Sequence, residues 1–191
     1  MANLPHTAAW RHVDSREGFE VLFTRTLGGA YRLEGHSTAI EEGEAWSIRY
    51  TIDVGPDWAT RAARIASSSV DGEREVRIEG DGSGGWTVDG APAAHLTGCL
   101  DVDLEASACT NLLPVRRLAL QVGERADAPA VYVGAPTLAV ERLEQSYTRL
   151  DDSDVGRRYD YASPRFDFHA VLVFDRHGLV VDYPGIATRI A

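Results

Sequence analysis

Apolar and polar residues alternate with a period of two along much of the chain. Trp46, Ile48, Tyr50 and Ile52 are interleaved with Ser47, Arg49, Thr51 and Asp53. Val76 and Ile78 lie between Glu75, Arg77 and Glu79, and Leu100, Val102 and Leu104 alternate with Asp101, Asp103 and Glu105. Phe166, Phe168, Ala170, Leu172 and Phe174 form one side of a longer run. Side chains of a strand point alternately to its two faces, so each set predicts a half-buried strand. Turn signals separate the runs. Leu27-Gly28-Gly29-Ala30 follows a strand around 21–26, and Val54-Gly55-Pro56-Asp57 follows the strand ending at Asp53. Asp71-Gly72 reads as a two-residue hairpin turn. Gly80 to Gly85 is a glycine-rich loop before Trp86-Thr87-Val88, and Asp175-Arg176-His177-Gly178 leads into Leu179–Tyr183.

Helical signals are few. The alanine-rich stretch Asp57–Ala66 sits among hairpins and is read as strand. Val140–Tyr147 fits helix or strand. Ser107 to Leu113 fits one short helical turn, which Pro114 is expected to end. Short strands with frequent turns predict a mainly β fold with little helix: an antiparallel barrel, sandwich or roll. No repeat, low-complexity tract or linker divides residues 1–191, so a single domain is expected.

Composition narrows the function classes. The 191 residues are 44% hydrophobic and 25% charged, with a net charge of −10. All 19 basic residues are arginine. Without lysine there is no Walker-type phosphate loop, no Schiff base and no lysine general base. The acidic balance argues against nucleic acid and against an anionic membrane surface. The first twelve residues lack the pattern of a signal peptide, and no run approaches the length of a membrane span. A cytoplasmic protein with Cys99 and Cys109 reduced is expected, with no membrane insertion.

The candidate chemistry concentrates between Leu96 and Leu118. Cys99, Asp101 and Asp103 fall on one face of a strand, opposite Leu100, Val102 and Leu104. That acidic face either meets water or, in a rolled sheet, lines a polar cavity with Arg116 or Arg117 as partner. Arg116 and Arg117, placed on a following strand, should point to opposite faces, with Arg116 enclosed on the apolar side and Arg117 meeting the carboxylates. Arg116→Ala would then damage folding and Arg117→Ala anion binding. Metal readings fail on spacing: the cysteines lack histidines at zinc spacing, and Asp101-Val102-Asp103 lacks the glycine and distal glutamate of a calcium loop. Ser83 lacks a nucleophile elbow. No metal, cofactor or catalytic residue is assigned. The acidic run at 151–154 is read as a solvated loop. Tyr132, Tyr147, Tyr159, Tyr161, Phe166, Phe168, Phe174 and Tyr183 fit either core packing or an apolar groove whose hydroxyls fix a headgroup.

Gly98-Cys99-Leu100-Asp101-Val102-Asp103-Leu104, then Thr110-Asn111, then Leu113-Pro114-Val115-Arg116-Arg117-Leu118 resemble a bacterial family described as "putative glycolipid-binding" proteins. Gln145-Ser146-Tyr147, the segment from Gly178 to Gly185, Trp46 to Asp53, and Gly85-Trp86 carry the resemblance over nearly the whole chain. It implies a spiral β-roll, a single strongly curved, partly open antiparallel sheet akin to folds that carry lipoproteins between membranes. One departure stands out: where the family has a proline-containing segment before Thr110-Asn111, this chain has Ser107-Ala108-Cys109, and a loosened loop is one outcome. Three functions are carried forward. The first is non-enzymatic binding of an amphiphile, a glycolipid or lipid-like molecule, with Asp101, Asp103, Asn111, Arg116, Arg117, Tyr147 and Tyr183 as ligand-binding residues. The second is an enzyme on a small polar metabolite using Asp101 and Asp103 with Arg116 and Arg117. The third is a purely structural or interaction role. Neither the ligand nor the oligomeric state is fixed by the sequence.

Overall fold

In a computed structural model, which describes residues 1–14 and 16–191, the alternating runs become long antiparallel strands: β1 (Thr7–His12), β2 (Glu17–Leu27), β3 (Ala30–Glu41), β4 (Glu44–Val54), β5 (Thr60–Ser69) and β6 (Gly72–Gly80), followed by the short β7 (Trp86–Val88) and β8 (Ala91–Pro92). After the central segment come β9 (Asp101–Leu104), α1 (Leu112–Leu118), β10 (Arg125–Asp127), β11 (Ala130–Val133), β12 (Val140–Leu143), β13 (Ser146–Arg149), β14 (Arg157–Ser163), β15 (Phe168–Phe174), β16 (Val180–Tyr183) and β17 (Ala187–Arg189). Fourteen of these form one sheet in the order β10-β13-β14-β15-β16-β17-β1-β2-β3-β4-β5-β6-β7-β8, with every neighbouring pair antiparallel. The order does not return on itself, so the sheet stays open. Register shifts at Asp53/Val54 and Val173/Phe174 mark bulges, which bend a strand and sharpen its twist.

The expected alternation holds in β4: Trp46, Ile48, Tyr50, Ile52 and Val54 are all buried. They meet Leu33, Ala63, Ile65, Val76 and Ile78 in one core. Close packing also explains Gly35, which pairs with Tyr50: a Cβ there would stand 2.1 Å from the Tyr50 ring. Of the stretch 57–66, residues 60–66 are strand in β5 and 57–59 form the preceding turn, and 140–147 divides into β12 and the start of β13. The hairpin at Asp71-Gly72 is displaced by one residue: Val70 and Asp71 form the loop, and Gly72 pairs with Ser69.

Two expectations are corrected. The sheet is not single: β12-β11-β9 form a second, three-stranded sheet, in which β9 and β11 run parallel. A parallel pair needs a long crossover, commonly with a helix, and residues 105–129 supply it. The helix is the second correction. Pro114 does not end it but sits in its first turn, where the missing N–H would have no intrahelical partner in any case. α1 therefore runs on to Leu118, and Arg116 and Arg117 lie on its last turn rather than on a strand. Val102, Leu104, Val131, Val133, Leu112 and Leu113 pack this layer against the inward face of the large sheet.

Ser107-Ala108-Cys109 is not loosened. Glu20, fully buried on β2, accepts hydrogen bonds from Tyr50 Oη at 2.6 Å, from Ala108 N at 2.8 Å and from Ser107 Oγ. These donors pin the 107–109 turn to the middle of the large sheet. Burial pushes the Glu20 carboxyl up, and its donors work against that shift. Cys99 and Cys109 are buried free thiols.

Candidate ligand cavity

On β9 the period-two rule separates a polar face from a packing face. Val102 and Leu104 enter the core. Asp101 and Asp103 share the other face, on which Asp101 is buried under α1 and Asp103 is partly exposed beside the aromatic strands. The two carboxylates have different surroundings. Asp101 is completely buried and receives both arms of Arg117, Nε to Oδ1 at 3.0 Å and Nη2 to Oδ2 at 2.6 Å. Burial pushes the Asp101 carboxyl up and the guanidinium opposes that. Arg117 itself is pushed up, because the Asp101 contacts outweigh the effect of burial.

Asp103, two residues on, borders a cavity of about 190 Å³. Its Oδ1 accepts the Thr110 hydroxyl at 2.8 Å. Burial pushes its carboxyl up to about 6, with the charges of Asp101 and Glu105 adding to the shift and the Thr110 hydroxyl opposing it. Glu105 continues the same face, accepts Ala135 N at 2.9 Å and lies 3.6 Å from Arg16 Nη2. Asn111 and Ser107 close one side. The opposite wall is aromatic: Tyr132, Tyr161, Phe166, Phe168 and Tyr183. Tyr161 packs against Phe168 and Tyr183 with ring centres 6.0 and 6.1 Å apart, and Tyr132 meets Phe166 at 5.4 Å. Burial raises the phenols of Tyr132, Tyr161 and Tyr183, which stay neutral donors.

Of the residues singled out in the sequence, Asp103, Asn111 and Tyr183 border this cavity. Tyr147 is buried just behind it, its hydroxyl donating to Asn111 Oδ1 at 2.8 Å. Asp101 and Arg117 are paired with each other away from the cavity, Asp101 buried and Arg117 partly exposed. Arg116 lies elsewhere: half-buried, it donates to His177 O at 2.7 Å and Ala2 O at 3.0 Å and stacks 4.1 Å over Trp58. The expected meeting of Arg117 with the carboxylates holds, through Asp101. The expected enclosure of Arg116 does not, since it is only half-buried, and the two diverge because they ride on a helix whose residues differ in direction by about 100° rather than on a strand. Sequence reasoning missed Arg16, Glu105 and Ser163. Arg16 stands in the polar connection between β1 and β2, where an arginine looks like an ordinary surface residue.

Among the described residues no group of three or more His, Cys, Asp or Glu is placed to hold a metal ion. No helix among them is long and apolar enough to cross a membrane.

One large open antiparallel sheet with a short second sheet and helix packed inside it defines a mainly β protein. The chain belongs to the family described as "Putative glycolipid-binding", whose model matches residues 7–189. It is similar to the crystal structure of a DUF1089 family protein from Pseudomonas aeruginosa, with 34% identity, a TM-score of 0.78, and coverage of 100% of this chain and 96% of that one. A β-barrel-like protein of the domain of unknown function DUF1849 from Brucella abortus matches in fold alone, at 13% identity and TM-score 0.55, over 98% of this chain and 95% of that one. No protein with a curated description matches the chain.

Proposed function

We propose that residues 1–191 act as one domain, a partly open β-roll, that binds an amphiphilic ligand without chemical change, its polar head in the Asp103 cavity. The observation that carries this reading is the cavity's two-sided lining: Arg16, Asp103, Glu105 and Asn111 on one side, aromatic rings on the other. Binding sites of this kind pair an apolar wall with a few convergent polar groups. At about 190 Å³ the space falls below the roughly 300–1,000 Å³ of a drug-sized site. It accepts a head the size of one ring and leaves an attached chain outside, against exposed Phe166. Asp103, Asn111 and Tyr183 touch the head in this reading. Tyr147 positions Asn111, and Asp101, Arg116 and Arg117 hold the framework. Native mass spectrometry of protein purified from its own host tests it. A discrete adduct, released by organic solvent and absent from the cavity-filling variant Ser163→Leu, is expected. An adduct-free wild-type protein that also fails to bind alkyl glycosides would overturn it.

A second reading rests on one observation, the placement of Asp103 and Glu105 together on the cavity wall, with burial raising the Asp103 carboxyl. Two carboxyl groups in different environments can divide acid and base roles. Turnover of aryl glycosides by the wild-type protein, lost in Asp103→Asn, would favour an enzyme over a binder.

A further inference from the structure

We infer that the cavity receives a monoanionic head, a carboxylate carried on a hydroxylated ring, with the Arg16 guanidinium as its receptor. The inference rests on the reading that the cavity holds a ligand head, and it adds the charge class of that head.

The Arg16 side chain is 6% exposed and borders the cavity. Its nearest carboxylate oxygen, on Glu105, is 3.6 Å away, too far for a hydrogen bond. Its Nε and Nη1 are sealed from solvent with no hydrogen-bond partner among the described residues. Besides Glu105, its guanidinium lies 5.3 Å from the Trp46 ring centre. A guanidinium carries five N–H donors, and a buried, underpaired cation is costly unless something completes its bonding. Arg117 shows the contrast: its carboxylate partner is engaged through two short bonds. A second unpartnered group lies on the same cavity, the buried Ser163 Oγ on β14.

The charges around Asp103 limit the anion. Asp101 and Glu105 flank it on its own segment, Arg117 neutralises Asp101, Arg16 faces from the β1–β2 connection, and the phenols of Tyr132, Tyr161 and Tyr183 face it uncharged. Arg16 stands against Glu105 at 3.6 Å and against Asp103, so the cavity carries no excess positive charge; it admits a single negative charge best once Asp103 is protonated, and it disfavours a dianionic phosphate. The volume equals that of about six waters at roughly 30 Å³ each, enough for one ring with its hydroxyls. Ser163 and Asn111 are placed to meet those hydroxyls, and the aromatic wall to meet the ring's apolar edge.

Calorimetry with glucuronate, glucose and glucose 6-phosphate at pH 5.5 and 7.5 tests the proposal. Glucuronate should bind roughly tenfold to a hundredfold more tightly than glucose, the usual margin of a charge-assisted hydrogen bond, and more tightly than the phosphate ester. Its affinity should rise on acidification, as Asp103 takes up a proton and its repulsion is removed. Arg16→Gln should remove the preference for glucuronate, and Arg16→Lys should keep part of it. Asp103→Asn should flatten the pH profile, a readout that stands even if the Arg16 variants fold poorly. Equal affinity for glucose and glucuronate overturns the anion assignment and leaves the binding reading intact. Stronger binding of the phosphate ester replaces the carboxylate with a phosphate and also overturns it. If none of the three sugars binds, and alkyl glycosides do not bind either, the binding reading fails with it.

Discussion

Asp103 and Asp101 are separated by a single residue, and burial raises both carboxyls, yet only Asp101 has a guanidinium to oppose the rise. Asp101 is held as a closed ion pair. Asp103 has one neutral donor, Thr110, and its carboxyl rises to about 6. Its ionised form is therefore disfavoured by folding. The cost is absent below the ordinary value of 3.8, grows as pH rises through the window from 3.8 to 6, and is fully present above it. Asn at this position has the same shape, carries no charge and still accepts the Thr110 hydroxyl. Asp103→Asn should stabilise the protein at pH 7.5 by about 2 kcal/mol, from a shift of roughly two units at about 1.4 kcal/mol each, reduced for partial exposure. For a chain of this size that is a rise in melting temperature of roughly 4–8 °C. At pH 4.5 the gap should shrink to about a third, because the cost is only partly developed there; an equal gap at both values would mean that Asp103 is not the titrating group. None of this was legible in the sequence, where Asp101 and Asp103 read as equivalent members of one acidic face. Glu20 was hidden for a related reason. On β2 the more hydrophobic set, Phe19, Val21 and Phe23, faces outward, 51%, 37% and 52% exposed. The set that carries Glu20 faces in, because Tyr50 and the 107–109 turn supply its donors.

At the scale of elements, the period-two pattern located the long hairpins because each strand and its neighbour are adjacent in sequence, so local alternation and local turns suffice. α1 escaped that reading. Seven residues with a proline in the first turn give no periodicity, and what stabilises the helix is Leu112, Leu113 and Val115 entering the two cores. Its last turn sets the two arginines apart, and their removal should not be equal. Arg117→Ala leaves Asp101 a buried, unpaired carboxylate, a loss of about 3–5 kcal/mol. Arg116→Ala removes two hydrogen bonds to carbonyl groups and a half-buried stack on Trp58, worth about 1–2 kcal/mol. Urea denaturation should rank Arg117→Ala as the weaker protein, and Asp101→Asn combined with Arg117→Ala should recover part of the loss. The opposite ranking would show that the Arg116 contacts to Trp58 and His177 outweigh the buried pair.

Across the whole molecule the decisive contacts join segments far apart in the chain, and these no local pattern encodes. β9 pairs with β11 across the crossover, and the cavity takes its walls from the β1–β2 connection, the β9 segment, β11 and β14 to β16. The large sheet shows the same principle. Strands β1–β8 form one flank and β10 with β13–β17 the other, and they meet at one ladder, where β1 pairs with β17 through Trp10↔Arg189, Arg11↔Thr188 and His12↔Ala187. Ala187 is fully buried there, and the Arg189 guanidinium lies 5.2 Å from the Trp10 ring centre. If residues 1–191 fold as one unit, that ladder transmits cooperativity between the flanks. Hydrogen exchange followed by mass spectrometry can read each flank separately, through peptides of β3–β4 and of β14–β15. In the intact chain the slowest amides of both should open with the same free energy, the signature of a shared global unfolding. Truncation after Ile186 removes β17 and the Trp10 contact. The two sets of amides should then separate, with β14–β15 exchanging faster, since that flank is built of shorter strands. Unchanged, coincident protection after truncation would place the coupling in the inner layer of β9, β11 and α1 instead of the β1–β17 ladder.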